Sequence, residues 1–326
     1  MITASVIIEW YNLTYAELGR VRRMLAELRS QAIALHSSDE SAPVRLAEPL
    51  DLVITFDSER NSVQQIQSTL GELANPSDSL VPRFLPVADS NYCKLKNAGA
   101  ANSKGEIIIF LDSDVIPEPN WLAAFLGAFA SPGVAVVVGN TYVDCIGLSV
   151  YAKSMALTWM FPLRDSSDGL TLSTCFYANN VAFRREVFLS RQFPDVPGLT
   201  HAPAALMVER LQRDGVALWH AGGARASHPP PNGLVHFSMR AIAGGRARAF
   251  SRRTRGITAL MQWIRADSWT IIGSCKKIAF DSSPVGLRWW QIPSAMLYPI
   301  TYYALFYLGS LLSIAFPRLM RNRFQL

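Results

Sequence analysis

Nearly continuous apolar runs alternate with helical patterns over the first 140 residues. Four runs rich in Val, Ile, Leu and Phe are typical of strands buried on both faces of a sheet, at residues 4–8, 51–56, 106–111 and 134–138. Helical spacing of apolar or small residues lies between them, at residues 17–35, 62–73, 92–103 and 119–129. This alternation predicts an α/β fold, a doubly wound and mostly parallel sheet.

Two local signals refine this prediction. Thr14 and Glu17 have capping-box spacing and predict the start of the first helix. Pro82 and Pro86 allow only a short edge strand at residues 81–87. Beyond Gly139 the alternation becomes irregular, with strands predicted at 175–183 and 216–220 and a helix at 204–213. We assign residues 1–232 to one domain.

The C-terminal third has a different pattern. Residues 256–280 mix Trp and Ile with charged side chains, as an interfacial amphipathic helix does, and we assign residues 233–287 to a basic interfacial region. Residues 292–316 carry no charge, and as a helix they would span about 37 Å, enough for the hydrocarbon core of a membrane. We therefore predict a transmembrane or re-entrant helix with a basic tail at residues 288–326. A buried core helix is the alternative.

Composition and charge support membrane attachment. Only 17% of the residues are charged, below the usual quarter. Residues 215–266 contain eight arginines and no Asp or Glu, which fits a solvated basic helix, nucleic acid or anionic lipid headgroups. The apolar segment that follows favours anionic lipids, and we expect no nucleic-acid partner. The four cysteines are scattered, which favours a reducing compartment, and the N-terminal residues predict no cleaved signal peptide.

Asp112-Ser113-Asp114 follows directly on the apolar run at 106–111. A buried strand delivers its last residues to the carboxyl edge of an α/β sheet, where ligands bind. Two carboxylates about 6 Å apart repel each other by roughly 2–3 kcal/mol at an effective dielectric near 20. A cation between them would relieve this repulsion, and carboxylate oxygens favour Mg²⁺ or Mn²⁺. An acidic surface loop is the alternative.

Several short segments follow one another in order along roughly residues 4–230: residues 5–12, Asp57, and residues 96–101, 112–114, 120–122 and 179–188. Together they make the chain resemble a family 2 glycosyltransferase with the nucleotide-sugar-binding GT-A fold. Asp57 ends the second strand, where the family has an acidic residue for the nucleoside base.

The resemblance implies donor and metal sites. Asp112 and Asp114 would hold Mg²⁺ or Mn²⁺, and His228 would contact the metal or the diphosphate. The residues expected to bind the nucleotide sugar are Glu9, Tyr11, Asp57, Lys96, Asp112 and Ser113. Glu9 stands where most members of the family have proline, so its role is open. Plainer roles are open for three of these side chains: a helix N-cap for Asp57, a solvated cation for Lys96 and a structural turn for His228.

The catalytic base is where the chain departs from the family. Family 2 enzymes invert the anomeric centre and use a carboxylate from an acidic pair that precedes an Arg-Leu-x-x-x-Gly segment. That segment is present at residues 210–215, but residues 200–206 contain no acidic residue. Asp195 is the best substitute, with His201 and Glu209 as alternatives.

The resemblance and the C-terminal pattern together predict a metal-dependent glycosyltransferase at the cell membrane. Its catalytic domain would face the cytoplasm, and it would act on a lipid-linked or saccharide acceptor in cell-envelope polysaccharide synthesis. The Gln262–Arg265 spacing is too weak to indicate a processive synthase. Because the acidic pair is absent, a catalytically silent nucleotide-sugar-binding paralogue at the membrane is the alternative.

Overall fold

The computed structural model describes residues 1–10, 17–39, 42–145, 149–195, 202–251, 257–317 and 320. Within these residues nine strands form one sheet: β1 (Ala4–Glu9), β2 (Leu50–Asp57), β3 (Leu80–Val87), β4 (Ile107–Asp112), β5 (Ile116–Pro117), β6 (Val136–Val143), β7 (Leu170–Ser173), β8 (Asn180–Arg184) and β9 (Leu218–His228). The described helices are α1 (Leu18–His36), α2 (Val63–Leu70), α3 (Tyr92–Ala101), α4 (Trp121–Ala128), α5 (Val150–Thr158), α6 (Arg185–Leu189), α7 (Ala202–Arg213), α8 (Gly233–Ser251), α9 (Ile257–Phe280) and α10 (Ile292–Ala315).

The sheet has the order β3-β2-β1-β4-β8-β6-β9-β5, with β7 paired to β9. The strands β3, β2, β1 and β4 are parallel, whereas β8 pairs antiparallel with both β4 and β6. The α/β fold class is confirmed. Parallel neighbours end at the same edge, so the last residues of β1, β2 and β4 lie together.

Strand β4 lies at the centre of two hydrophobic cores, one on each face of the sheet. Ile107, Ile109 and Leu111 join a core that includes α1 and α4. Ile108 and Phe110 join the opposite core, where the Phe110 ring lies 4.7 Å from that of Phe188. This alternation fixes the strand register, because a slip of one residue would exchange the two faces.

Some predicted boundaries are wrong. Glu17 is itself the N-cap of α1 and makes no side-chain cap, so it is not the third helical residue of a capping box; Thr14 lies outside the described residues. The capping box occurs instead at Ser62 and Gln65, at the start of α2. The strand predicted at 175–183 is confined to Asn180–Arg184, and the one predicted at 216–220 extends to His228.

The described chain divides into two compact units. The first comprises Met1–Thr141, Asp165–Val196 and His201–His228, and it contains the site described below. The second comprises Tyr142–Arg164, Pro197–Thr200 and Pro229–Leu326. Beyond the last two residues of β6, its described part is mainly helical, formed by α5, α8, α9 and α10.

Helices α8 and α10 cross closely at glycines within the second unit. A Cβ on Gly245 would meet the carbonyl oxygen of Phe306, and one on Gly309 would meet that of Ile242. The Ser310 hydroxyl donates to the carbonyl of Gly245 at 2.9 Å. Small residues that let backbones approach are typical of helix pairs in membranes.

Helix α10 has the length and composition of a membrane-crossing helix. Among the described residues it is the one helix that meets these criteria, over Trp289–Ala315. Only 22% of its most apolar window is buried, which disfavours the buried core helix. Leu297 and Leu311 are 61% and 54% exposed, so an apolar surface runs along the helix.

Candidate active site

Three acidic residues end neighbouring parallel strands. Glu9, Asp57 and Asp112 are the last residues of β1, β2 and β4. Glu9 and Asp112 are paired directly across β1 and β4, and both side chains are buried. The edge predicted from the apolar runs therefore gathers carboxylates out of water.

Asp112 is held by two side chains of α3. The Lys96 ammonium lies 2.7 Å from Asp112 Oδ1, and the Tyr92 hydroxyl lies 2.8 and 3.0 Å from the two carboxylate oxygens. Lys96 is fully buried and lies 4.7 Å from the centre of the Tyr92 ring. The solvated alternative for Lys96 is therefore wrong. Tyr92 and Lys96 are four residues apart, so they share one face of the helix.

Protonation fixes the direction of these bonds. Burial, followed by the nearby charges of Asp112 and Glu9, raises the pKa of Tyr92 well above its usual value. Its hydroxyl therefore stays protonated at neutral pH and donates to the carboxylate. Burial also raises the pKa of the neighbouring Cys93 thiol to about 12, so this cysteine is not a thiolate nucleophile.

Asp114 has a different environment from Asp112. Its side chain is buried, and Oδ1 has no hydrogen-bond partner among the described residues. An unsatisfied buried acceptor costs roughly 1–3 kcal/mol, and more when it is charged. Arg20 fixes the turn, donating to the carbonyl oxygens of Asp114 at 3.1 Å and Ser227 at 2.9 Å. The Ser113 hydroxyl, also buried, likewise has no partner in the described structure.

The arrangement fits a divalent cation that shares its ligands with a substrate. Within the described ranges, no group of three or more His, Cys, Asp or Glu side chains forms a complete protein site. Mg²⁺ is commonly bound by one or two carboxylates together with substrate phosphates, and the orphaned Asp114 oxygen suits that role. His228 is buried and follows Ser227, which pairs with Ile116 just after the Asp112–Asp114 turn.

Asp57 closes the turn after β2. Its Oδ1 accepts from the Glu59 amide at 3.0 Å, and Oδ2 lies 3.3 Å from the guanidinium of Arg60. The N-cap of α2 is Ser62, so the N-cap alternative for Asp57 is wrong. The carboxylate remains at the same sheet edge as Asp112.

Asp195 lies at the N-terminal end of α3. Its Oδ1 accepts from Asn91, the N-cap of that helix, at 3.3 Å, and its Oδ2 lies 3.6 Å from Lys94. Half of the side chain is exposed, so it remains accessible to an acceptor. The alternative Glu209 is exposed on α7. Tyr11 and His201 lie outside the described residues.

Two asparagines support β4 from the other side. The amide of Asp112 donates to the carbonyl of Asn179 at 3.2 Å. Asn180 accepts from the Trp121 indole at 2.9 Å and donates to the carbonyl of Ala224 at 3.2 Å. A Cβ at Gly139 would collide with the Asn180 amide, so only glycine fits there.

The site residues predicted from the sequence did not include Tyr92, Asn91 or Arg20. The i, i+4 spacing of Tyr92 and Lys96 could have indicated Tyr92. Asn91 precedes a helical pattern and could have been predicted as an N-cap. Arg20 bonds to residues 94 and 207 positions away, and no local pattern predicts such contacts.

Comparison with protein families identifies the family of the chain. Residues 5–190, more than half of the chain, match the family model described as glycosyl transferase family 2. The chain belongs to glycosyl transferase family 2. The predicted family is thus confirmed.

A curated relative of this family 2 chain is the glucosyl-dolichyl phosphate glucuronosyltransferase of Haloferax volcanii. It is 27% identical over 157 residues, which cover 46% of this chain and 47% of the relative. The match thus spans about half the length of that protein.

Two solved structures share the fold. One is the mannosyltransferase PcManGT from Pyrobaculum calidifontis in complex with GDP-Man and Mn²⁺, with a TM-score of 0.51 and 15% identity over 99% of this chain and 84% of that one. The other is GalNAc-T7 with UDP, GalNAc and Mn²⁺, with a TM-score of 0.53 and 16% identity over 86% and 57%.

Proposed function

We propose that this family 2 chain is an inverting glycosyltransferase that moves a sugar from a nucleoside diphosphate sugar to a lipid-linked or membrane-proximal saccharide acceptor. The observation that carries the proposal is the orphaned carboxylate oxygen of Asp114 beside the Lys96-held Asp112. The two solved structures of this fold contain nucleotides with Mn²⁺, and the curated relative is named for a dolichyl phosphate substrate.

Asp114, with Asp112 beside it, would hold Mg²⁺ or Mn²⁺. Bound there, the ion would offset the negative charge that develops on the leaving diphosphate, which is worth several kcal/mol. Lys96 and Tyr92 fix the Asp112 carboxylate, so the site is organised before the donor arrives. Asp57 would accept from the nucleoside base.

The remaining donor residues have narrower proposed roles. Glu9 and Ser113 would line the buried part of the donor site, because both are buried beside Asp112. His228 would contact the metal or the diphosphate from the end of β9.

We assign the base to Asp195. In an inverting transfer an acceptor hydroxyl oxygen forms the bond to C1 of the sugar while the C1–O bond to the diphosphate breaks. The hydroxyl proton passes to the Asp195 carboxylate, which its 50% exposure leaves open to an acceptor. Asn91 orients this carboxylate by a hydrogen bond to Oδ1.

The second unit would attach the enzyme to the cell membrane, with the catalytic site of the first unit on the cytoplasmic face. The apolar surface of α10 would contact lipid, and Trp289 and Trp290 would lie at the interface. The basic region at 233–287 would face anionic headgroups. An acceptor held in the membrane fits a role in cell-envelope polysaccharide synthesis.

A screen of UDP-, GDP- and dTDP-sugars with Mn²⁺ or Mg²⁺ tests the proposal. Wild type should bind and slowly hydrolyse one of these donors, and only when metal is present. Asp114→Ala should lose both donor binding and hydrolysis. Asp78→Asn, which changes an exposed aspartate just before β3, should behave as wild type. Absence of any metal-dependent donor binding would contradict the proposal that the chain is a glycosyltransferase. Donor binding without transfer to any acceptor, unchanged in Asp195→Asn, would favour the silent paralogue.

A further inference from the structure

The second unit contains a cavity of 640 Å³, a size typical of sites for small organic ligands. Helix α9 lines it with Thr270, Gly273, Ser274 and Lys277, which lie on one helical face. Helix α10 contributes Pro299, Tyr302, Tyr303 and Phe306 at the same spacing. The end of α5 and the residues after it add mostly apolar side chains, and α8 supplies Arg248.

The cavity lining combines two chemical characters. Arg248 and Lys277 are its two cations, and no Asp or Glu is among the described residues that line it. The Arg248 guanidinium lies 5.0 Å from the centre of the Phe306 ring, an arrangement that orients the planar group. The remaining wall is mostly apolar and aromatic. Such a lining suits a ligand with an anionic head and a hydrocarbon chain.

We propose that this cavity binds the phosphate-bearing end of the lipid acceptor, with the phosphate or diphosphate at Arg248 and Lys277 and the first hydrocarbon units against Tyr302, Tyr303 and Phe306. The inference rests on the lipid-linked acceptor in the proposed function. The phosphate or diphosphate that joins a lipid to its sugar is anionic at pH 7, so the two cations in the lining complement it. The exposed apolar side chains of α10 provide a surface along which the rest of the chain would lie in lipid.

Gly273 offers a way to fill the cavity without disturbing the fold. A Cβ built there meets nothing within 4 Å, and the residue lines the cavity. Gly273→Leu should therefore occupy the space of the hydrocarbon chain, while Gly273→Ala should leave most of it open. For the head, Lys277→Gln removes an exposed lining cation, and Lys276→Gln removes the adjacent lysine, which is not part of the lining.

The test is equilibrium binding of farnesyl phosphate to the full chain in detergent, by calorimetry, with farnesol, inorganic phosphate and phosphatidylglycerol as comparison ligands. Lys277→Gln and Arg248→Gln should each weaken farnesyl phosphate binding about 10-fold, the size expected for losing one charge-assisted contact. Gly273→Leu should abolish binding, and Lys276→Gln and Gly273→Ala should keep the wild-type affinity. Circular dichroism spectra identical to wild type establish that each variant is folded.

Three results would overturn the assignment. Wild-type affinity in Lys277→Gln and Gly273→Leu would mean that the ligand binds elsewhere. If farnesol or inorganic phosphate bound as tightly as farnesyl phosphate, the cavity would not be a site that recognises the phosphate and the hydrocarbon chain together. Phosphatidylglycerol competing equally would make the cavity a general phospholipid site.

Donor binding, measured separately with Mn²⁺ and UDP or GDP, distinguishes the two proposals. If the wild-type chain binds farnesyl phosphate but no nucleotide, the proposed transferase is rejected and the lipid-phosphate site is retained. If it binds the nucleotide but no farnesyl phosphate, the cavity assignment is rejected and the transferase is retained.

Discussion

Replacement of Lys96 by methionine tests whether the site is built around a buried ion pair. At 2.7 Å the Lys96–Asp112 attraction is about 6 kcal/mol for an effective dielectric near 20. Desolvation of the two charges offsets much of this, yet Lys96→Met leaves the Asp112 charge buried without its partner. We therefore expect a loss of about 3–5 kcal/mol in the stability of the first unit.

Native-state hydrogen exchange of the β4 amides measures this loss in the unit that contains the pair. Asp112→Asn in the Lys96→Met background should recover part of the stability, because it removes the uncompensated charge. Lys94→Met, which changes a partly exposed lysine two residues away, should cost less than about 1 kcal/mol. Additive losses in the double variant, or equal losses at Lys94 and Lys96, would refute the buried-pair account.

Three further predictions concern stability. Burial would raise the pKa of Asp51, but hydrogen bonds from Arg83, Ser5 and the Lys104 amide hold it below its usual value. Asp51→Asn should therefore lower the free energy of unfolding by roughly 1.5–3 kcal/mol at pH 7. This difference from wild type should shrink as the pH falls through and below about 4, where the carboxylate becomes protonated. An equal difference in unfolding free energy at pH 3 and pH 7 would contradict this prediction. Tyr92→Phe should cost about 1–3 kcal/mol in β4 hydrogen exchange, because a buried carboxylate loses a donor, and no loss would remove its role. Gly309→Ala should lower the melting temperature by separating α8 from α10, whereas Gly273→Ala, which has open space, should not; equal effects would reject the close crossing.

The sheet edge was predictable because its cause is local. The apolar run at 106–111 needs burial on both faces, and a parallel strand so buried must deliver Asp112 and Asp114 to the carboxyl edge. The observed core on each side of β4 confirms the strand. The family resemblance rests on several short segments in order, and the match to the family model over residues 5–190 confirmed it.

Features that depend on distant contacts were not predictable. Lys96 was open between a buried and a solvated state, because its burial depends on Tyr92, Asp112 and Phe110 meeting around it. Helix α5 has little amphipathic pattern, and its packing with α9 and α10 joins segments about 100 or more residues apart. Arg20 reaches Ser227 only because β9 closes the sheet beside the Asp112–Asp114 turn.

The most direct test of the central claim is Mn²⁺ binding by electron paramagnetic resonance, with and without UDP or GDP. Wild type should bind Mn²⁺ much more tightly with the nucleotide present, because Asp114 and the diphosphate together complete the coordination sphere. Asp114→Asn should lose at least about 10-fold in this affinity, and Asp78→Asn should lose none. Equal nucleotide-dependent affinity in wild type and Asp114→Asn would contradict the account.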